Sequence, residues 1–195
     1  MADNKTIAKK IISTQIHQYK VSLIDESAYG QNPMDNARVY RSELCRPDAD
    51  ESCCAHGVIA GDIISPETST IILGTGGATR VHENSIAHTE NICFVAAGDS
   101  VFALEVPSLK MLWCKQVDLS TCFGIFCVEK EECLITWGEV FVCRFSMDGN
   151  KVWETSGADI FTQGFELAGD AIEIIDFNND KYRINIHNGK IERIS

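Results

Sequence analysis

From residue 57 onward, the sequence is a succession of short runs of β-branched and aromatic residues, each broken by glycine, proline, asparagine or aspartate. Thirteen runs follow one another: GVIAGDII, STIILG, NICFVAA, SVFALEV, KMLWCKQV, FGIFCVE, CLITW, EVFVCRFS, KVWETS, IFTQGFEL, AIEIIDF, KYRINI and KIERIS. Runs of this length predict strands, and the residues between them predict tight turns. The sequence therefore predicts an antiparallel, all-β structure.

The second half of the chain also repeats itself. Three segments follow one template of turn, strand, turn and strand: 97–118, 136–159 and 176–195. Trp113 and Trp153 are 40 residues apart, and so are Gly149 and Gly189. Since one four-stranded meander cannot bury both of its faces, we expect successive units to pack face to face with the repeated aromatic residues between them. Repeats of about 40 residues are typical of propeller blades.

The segments DSVFALEVPSLKMLW and EVFVCRFSMDGNKVW resemble the blade motif of PQQ-like and WD-repeat β-propellers. The resemblance covers residues 57–195 and is clearest over 94–195, although the last repeat has Glu192 where the tryptophan would stand. It implies antiparallel four-stranded meander repeats in a small or incomplete β-propeller-like stack, and a sandwich of the same meanders stays open. The quinone ligands of that family have no counterpart here, so the resemblance implies no cofactor.

The first 56 residues have a different character. Residues 4–17 predict a short amphipathic N-terminal helix, because isoleucines recur at near-helical spacing after a capping Asn4. An extended run follows at 19–25, and the remainder is rich in turn formers around one candidate strand at 37–44. The predicted organisation is an N-terminal helix, strand and turn-rich loop over 1–56, packed on a β-repeat domain over 57–195.

Charge excludes some classes of function. The chain has 17 Lys and Arg residues against 28 Asp and Glu residues, a formal net charge of −11. Phosphate binding needs a basic face, so nucleic acid is not expected as a ligand. No run of about 18 apolar residues is present, and the N-terminus lacks the apolar stretch of a secretory signal. We therefore expect a cytoplasmic protein without a membrane partner.

The negative charge is concentrated in one segment. Residues 152–180 contain seven carboxylates and no lysine or arginine. Such a run attracts a cationic partner, although it is also compatible with an ordinary solvated surface. The candidate partner-binding residues are Glu154, Asp159, Glu166, Asp170 and Glu173.

One group of soft ligands is a candidate metal site. Cys45, Cys53, Cys54 and His56 have the side chains that zinc prefers, but their spacing is not that of a zinc-binding pair. The nine cysteines are otherwise expected to be reduced thiols, since no export signal is present.

Two further motifs are better explained as turns. The glycines of TIILGTGGATRV (70–81) follow a strand, but no helix is predicted behind them to hold a phosphate. Asp176, Asn178 and Asp180 match the start of a calcium loop, which would then place Lys181 where glycine is needed. We expect a hairpin turn there.

Two functions remain open at this level. The preferred one is a non-enzymatic protein-interaction module that uses an acidic β-repeat surface to bind a basic partner protein, such as an immunity or inhibitor protein bound to a toxin. The alternative is a small metal-dependent enzyme or metal-binding protein whose site joins the 45–56 loop to His82 and His88. No catalytic residue is assigned, and a homodimer through unpaired strand edges stays open.

Overall fold

The structure is a computed structural model that describes residues 10–30, 34, 36–49 and 51–195. The described chain is all-β, as the sequence predicts. Its seventeen strands are β1 (Ile11–Ile16), β2 (Tyr19–Asp25), β3 (Ser42–Cys45), β4 (Cys54–Gly61), β5 (Pro66–Gly74), β6 (Ile86–His88), β7 (Ile92–Ala97), β8 (Ser100–Glu105), β9 (Met111–Gln116), β10 (Cys122–Val128), β11 (Cys133–Gly138), β12 (Val142–Ser146), β13 (Lys151–Thr155), β14 (Gly164–Ala168), β15 (Ala171–Ile175), β16 (Lys181–Asn185) and β17 (Ile191–Arg193).

These strands form four small sheets. Sheet 2 (β6–β9), sheet 3 (β10–β13) and sheet 4 (β14–β17) are four-stranded antiparallel meanders whose strands pair in chain order. Sheet 1 contains the same meander in β1, β2, β4 and β5, and β3 is added as a fifth strand parallel to β5. All thirteen predicted runs contain a strand, and the prediction of four-stranded antiparallel meanders is confirmed.

The predicted N-terminal helix is wrong for the part of it that is described. Ile11–Ile16 is the strand β1, which pairs antiparallel with β2. The rest of the predicted helix, including its Asn4 cap, lies outside the described residues. The segment IISTQI is rich in β-branched residues, which pack well on a pleated surface. Its burial alternates along the strand, and His17, with φ of 51°, closes the turn into β2.

The segment before residue 57 contributes strands to the same sheet as the segment after it. The predicted boundary between residues 56 and 57 falls inside β4 (Cys54–Gly61). The strand β2, which lies before the boundary, pairs along β4, with Val21 opposite Ala60. The predicted strand at 37–44 is shorter and later than expected, since β3 begins at Ser42. Sheet 1 is thus assembled from both predicted regions.

Three clusters of buried apolar side chains each join two consecutive sheets. Leu23 and Val58 of sheet 1 share a cluster with Phe102 of sheet 2. The second cluster joins sheets 2 and 3, and the third joins sheets 3 and 4. The sheets therefore pack against one another in chain order, as neighbouring units must when each has two faces to cover.

The repeated tryptophans make equivalent contacts between sheets. The indole N–H of Trp113 on β9 donates a hydrogen bond to the carbonyl oxygen of Met147 in the β12–β13 turn, at 3.1 Å. Forty residues later, Trp153 on β13 donates in the same way to Ile186, at 3.0 Å. Glu192 occupies the matching position of sheet 4, because it pairs with Arg183 as Trp153 pairs with Arg144. The repeat period in the sequence is thus the spacing of a contact between sheets.

A buried aspartate fastens the link between sheets 2 and 3. Asp118 is 3% exposed. Its Oδ1 accepts hydrogen bonds from the backbone N–H groups of Ser120 and Thr121, and its Oδ2 accepts from those of Val140 and Phe141. One carboxylate therefore satisfies four backbone donors, two of them in the β11–β12 turn of the next sheet.

Helical structure in the described chain is confined to short 3₁₀ turns such as Glu83–Ser85 and Glu129–Glu131. Over the same residues, no helix has the length and apolar character that crossing a membrane requires.

Candidate functional site

The five predicted partner-binding carboxylates are spread over two sheets and the link between them. Glu154 lies on β13 of sheet 3, where the ammonium group of Lys151 is 2.6 Å from its carboxylate. Asp159 lies in the link to sheet 4, and its carboxylate accepts hydrogen bonds from the backbone of Ile160 and the side chain of Asn178. These two carboxylates are therefore partly used in local contacts.

The other three lie on sheet 4. Glu166 and Glu173 are directly opposite each other on β14 and β15, and Arg183 on β16 is the next residue across the sheet. Asp170 is exposed in the β14–β15 turn. Arg183 comes from outside the acidic segment, and its positive charge offsets part of the repulsion between the two glutamates. The outer face of sheet 4 is therefore mixed in charge, and binding through these residues stays a prediction.

The calcium-like segment forms the expected hairpin turn. Asp176 is fully buried, and its carboxylate accepts hydrogen bonds from the backbone of Asn178 and Asp180 and from the hydroxyl of Tyr182. Asn179 has φ of 67°, and β16 begins at Lys181. The carboxylate thus shapes the turn between β15 and β16.

The candidate metal ligands point to different partners. Cys45 and Cys53 are exposed, and the Cys53 thiol donates to the carbonyl oxygen of Gly74. The buried Cys54 sulfur accepts a hydrogen bond from the hydroxyl of Thr79, and Nε2 of His56 lies 3.3 Å from the Thr79 carbonyl oxygen. Within the described part of the chain, no group of three or more His, Cys, Asp or Glu side chains is arranged to hold a metal ion.

Burial controls the protonation of this region. Burial, together with the neighbouring Cys54, raises the pKa of the Cys53 thiol to about 11. The same desolvation lowers the pKa of His56, which is 0% exposed, and lowers that of His82. Both imidazoles are therefore biased toward the neutral form, and the thiol toward its protonated form.

A groove between sheets 2 and 3 gathers acidic side chains that the sequence does not show as a group. It has a volume of about 620 Å³ and is lined by Thr89, Glu90, Glu129, Glu132, Met147 and Asp148. These residues come from three turns: β6–β7, β10–β11 and β12–β13. Sheets 2 and 3 share a buried cluster, and their packing brings the three turns together and places the four carboxylates around one depression.

The groove carboxylates are not neutralised by neighbouring side chains. All four are exposed. None of them has an ion-pair partner among the described residues, in contrast to Glu131 close by, which contacts Arg144 and His187. Hydrogen bonding from Ser146 lowers the pKa of Asp148, which keeps that carboxylate charged. The groove therefore presents four carboxylates without an ion-pair partner in the described part of the chain, an arrangement that attracts cations.

A second cavity lies where the first strands of the four sheets meet. It has a volume of about 450 Å³. Its wall includes side chains from each first strand: Ile12 and Thr14 (β1), Ile86 and His88 (β6), Phe126 and Cys127 (β10) and Leu167 (β14). One strand of each sheet therefore contributes side chains to this cavity, which is called the axial cavity here. Of the two histidines considered above, His88 lies on its wall, whereas His82 caps the Glu83–Ser85 turn by accepting from the backbone of Asn84.

Sequence reasoning missed the groove because its residues are far apart in the chain. The only local signal is the run EKEE at 129–132, which contributes two of the four carboxylates. The other two are single acidic residues in turns, where such residues are common for conformational reasons.

The sequence matches no protein-family model and no curated protein. Among solved structures, the fold is similar to the crystal structure of the computationally designed Ika8 protein, with a TM-score of 0.53 and 9% sequence identity. The similar region covers 94% of this chain and 59% of the Ika8 chain, so this chain spans about three fifths of that protein's length. At this identity the similarity concerns the fold alone.

Proposed function

We propose that this chain is a non-enzymatic protein-interaction module, in which a propeller-like β body binds a basic partner protein. The body is supported by three features: consecutive meanders that share buried clusters, the repeated tryptophan contacts, and the cavity lined by all four first strands. A rigid repeat body of this kind holds its turns in fixed positions, as a binding surface requires.

The observation that carries the proposal is the acidic groove between sheets 2 and 3. Four exposed carboxylates around one depression, in a chain of net charge −11, attract a segment rich in lysine or arginine. Electrostatic attraction of this kind speeds association and weakens as salt is added. The more specific form of the proposal is an inhibitor or immunity protein that covers the cleft of a basic enzyme.

The compartment belongs to the same proposal. All nine cysteines are free thiols, five of them buried. Free thiols persist in a reducing environment, which supports the cytoplasm as the place of action.

The groove is tested with a fluorescent oligolysine peptide as the probe and fluorescence anisotropy as the measurement, at low and high ionic strength. The groove variant combines Glu90→Gln, Glu132→Gln and Asp148→Asn. Each exposed ion pair contributes about 0.2–1 kcal/mol, so we expect the variant to bind the peptide about tenfold more weakly.

The matched control changes the net charge equally at the surface that the sequence predicted. It combines Glu166→Gln, Asp170→Asn and Glu173→Gln, and we expect it to bind the peptide nearly as the unmodified protein does. Equal weakening in both variants would show attraction by overall charge only, and stronger weakening in the control would place binding on sheet 4.

A further inference from the structure

We propose that the axial cavity is a small-molecule site for an amine, in which an ammonium group is joined to an apolar aliphatic or aromatic body. The cavity shares Glu129 with the acidic groove, but its ligand is a small molecule and not a basic protein. Its volume of about 450 Å³ lies within the range of cavities that hold small ligands.

The wall of the cavity is mainly apolar. Ile12, Ile86, Phe126 and Leu167 line it, and each keeps part of its surface exposed. Side chains of this type gain stability when a ligand removes the remaining surface from water. The cavity therefore favours a ligand with an apolar body.

His88 supplies one polar contact in this apolar wall. Its Nδ1 lies 3.1 Å from the carbonyl oxygen of Thr89. A carbonyl oxygen only accepts, so Nδ1 is the donor, and Nε2 is an acceptor in the tautomer with the proton on Nδ1. No described residue donates to Nε2. A ligand that carries an N–H donor therefore fits this wall.

The charged residues of the cavity select a cation. Glu83 and Glu129 line it, and no lysine or arginine among the described residues does. Glu83 already has Lys10 at 3.5 Å, whereas Glu129 has no ion-pair partner among the described residues. Glu129 also lines the acidic groove, so it stands where the two depressions meet. We assign Glu129 as the carboxylate that contacts the ammonium group.

The test compares 2-phenylethylamine with the uncharged 2-phenylethanol, using isothermal titration calorimetry and chemical-shift mapping on the full chain. We expect the amine to bind about threefold more tightly than the alcohol, a ratio typical of one exposed ion pair. Glu129→Gln should abolish that difference, and Glu43→Gln on the exposed edge strand β3 should preserve it. Leu167→Trp, which fills the cavity, should weaken both probes.

Several outcomes would overturn the proposal. These are equal affinity for the two probes, an effect of Glu129→Gln no larger than that of Glu43→Gln, shifted resonances away from the first strands of the four sheets (β1, β6, β10 and β14), or no saturable binding. The glutamate variants change exposed side chains only, so they remain informative if Leu167→Trp does not fold. Oligolysine binding is measured separately, so failure of the amine site leaves the groove proposal intact.

Discussion

The indole ring of Trp113 lies directly over the backbone of Gly149, 36 residues later in the chain and in the next sheet. A methyl group on Gly149 would come within 2.8 Å of the ring. Trp153 has the same relationship to Gly189, also with 2.8 Å. Both glycines have positive φ, 82° and 71°, so each turn is shaped by glycine and then covered by tryptophan.

Replacing either glycine should destabilise the protein. Gly149→Ala and Gly189→Ala each place an alanine in the left-handed backbone conformation and bring its methyl group against the indole ring. We expect the free energy of unfolding, measured in urea, to fall by about 2 kcal/mol in each variant. Gly169→Ala is the matched control, because Gly169 has φ of 67° but nothing within 4 Å. It should lose less, and equal losses would mean that the tryptophan contact contributes nothing.

Asp118→Asn should be one of the more damaging polar substitutions. Whichever way the amide is oriented, its NH₂ group faces two backbone donors that the carboxylate now satisfies. We expect a loss of about 3 kcal/mol by chemical denaturation. Asp62 also accepts from two backbone N–H groups, but in an exposed turn. Asp62→Asn should cost much less, and a similar cost would contradict a special role for the link.

Stability should fall as the solution becomes acidic, partly through His56. Burial lowers the pKa of His56 below its usual value of 6.5. The unfolded chain then binds the proton more readily than the folded chain does, so this contribution is complete above pH 6.5 and is lost as the pH falls toward the folded value. His82 contributes in the same direction.

The measurement is the unfolding free energy as a function of pH. His56→Gln keeps a donor for the Thr79 carbonyl oxygen and should flatten the curve below pH 6.5. The matched control is the exposed His17, changed to asparagine because of its left-handed backbone, and the slopes of the two variants are compared. An unchanged slope in His56→Gln would show that other groups control the loss of stability below pH 6.5.

The thiols should react in a defined order. Cys45 and Cys53 are both exposed, but partial desolvation and the neighbouring Cys54 raise the pKa of the Cys53 thiol to about 11. Cys93 is buried, and burial raises its pKa to about 12. Since the thiolate is the nucleophile, a disulfide reagent at neutral pH should label Cys45 first. Cys45→Ser should remove the fast phase and Cys53→Ser should not. A fast phase that survives Cys45→Ser would contradict the predicted order of reaction.

The strands could be predicted because each one is short, β-branched and bounded by turn residues. The meander order could be predicted from the 40-residue spacing, since Trp113 and Trp153 mark equivalent strands. The segment at 11–16 was misread because Ile11, Ile12 and Ile16 fit a helical period as well as a strand. Tertiary pairing with β2 decides between the two, and a local pattern does not contain that information.

The distribution of charge was less predictable than the strands. The count of charges over 152–180 leaves out Arg183, which lies outside that segment but pairs with Glu173 in the sheet. The groove has the opposite property, because Glu90 and Asp148 are 58 positions apart and meet only when sheets 2 and 3 pack. The distribution of charge on the surface therefore could not be predicted from the order of charges in the sequence without knowing how the strands pair and the sheets pack.

Each hydrophobic cluster joins a sheet only to its neighbour in the chain. Each sheet is therefore stabilised by its interfaces with the neighbouring sheets in the chain, as in a linear array. Such an array opens from its ends, because a terminal sheet separates by breaking one interface and a middle sheet must break two. Amide hydrogens of sheets 2 and 3 should then exchange with solvent last, and those of sheet 4 among the first.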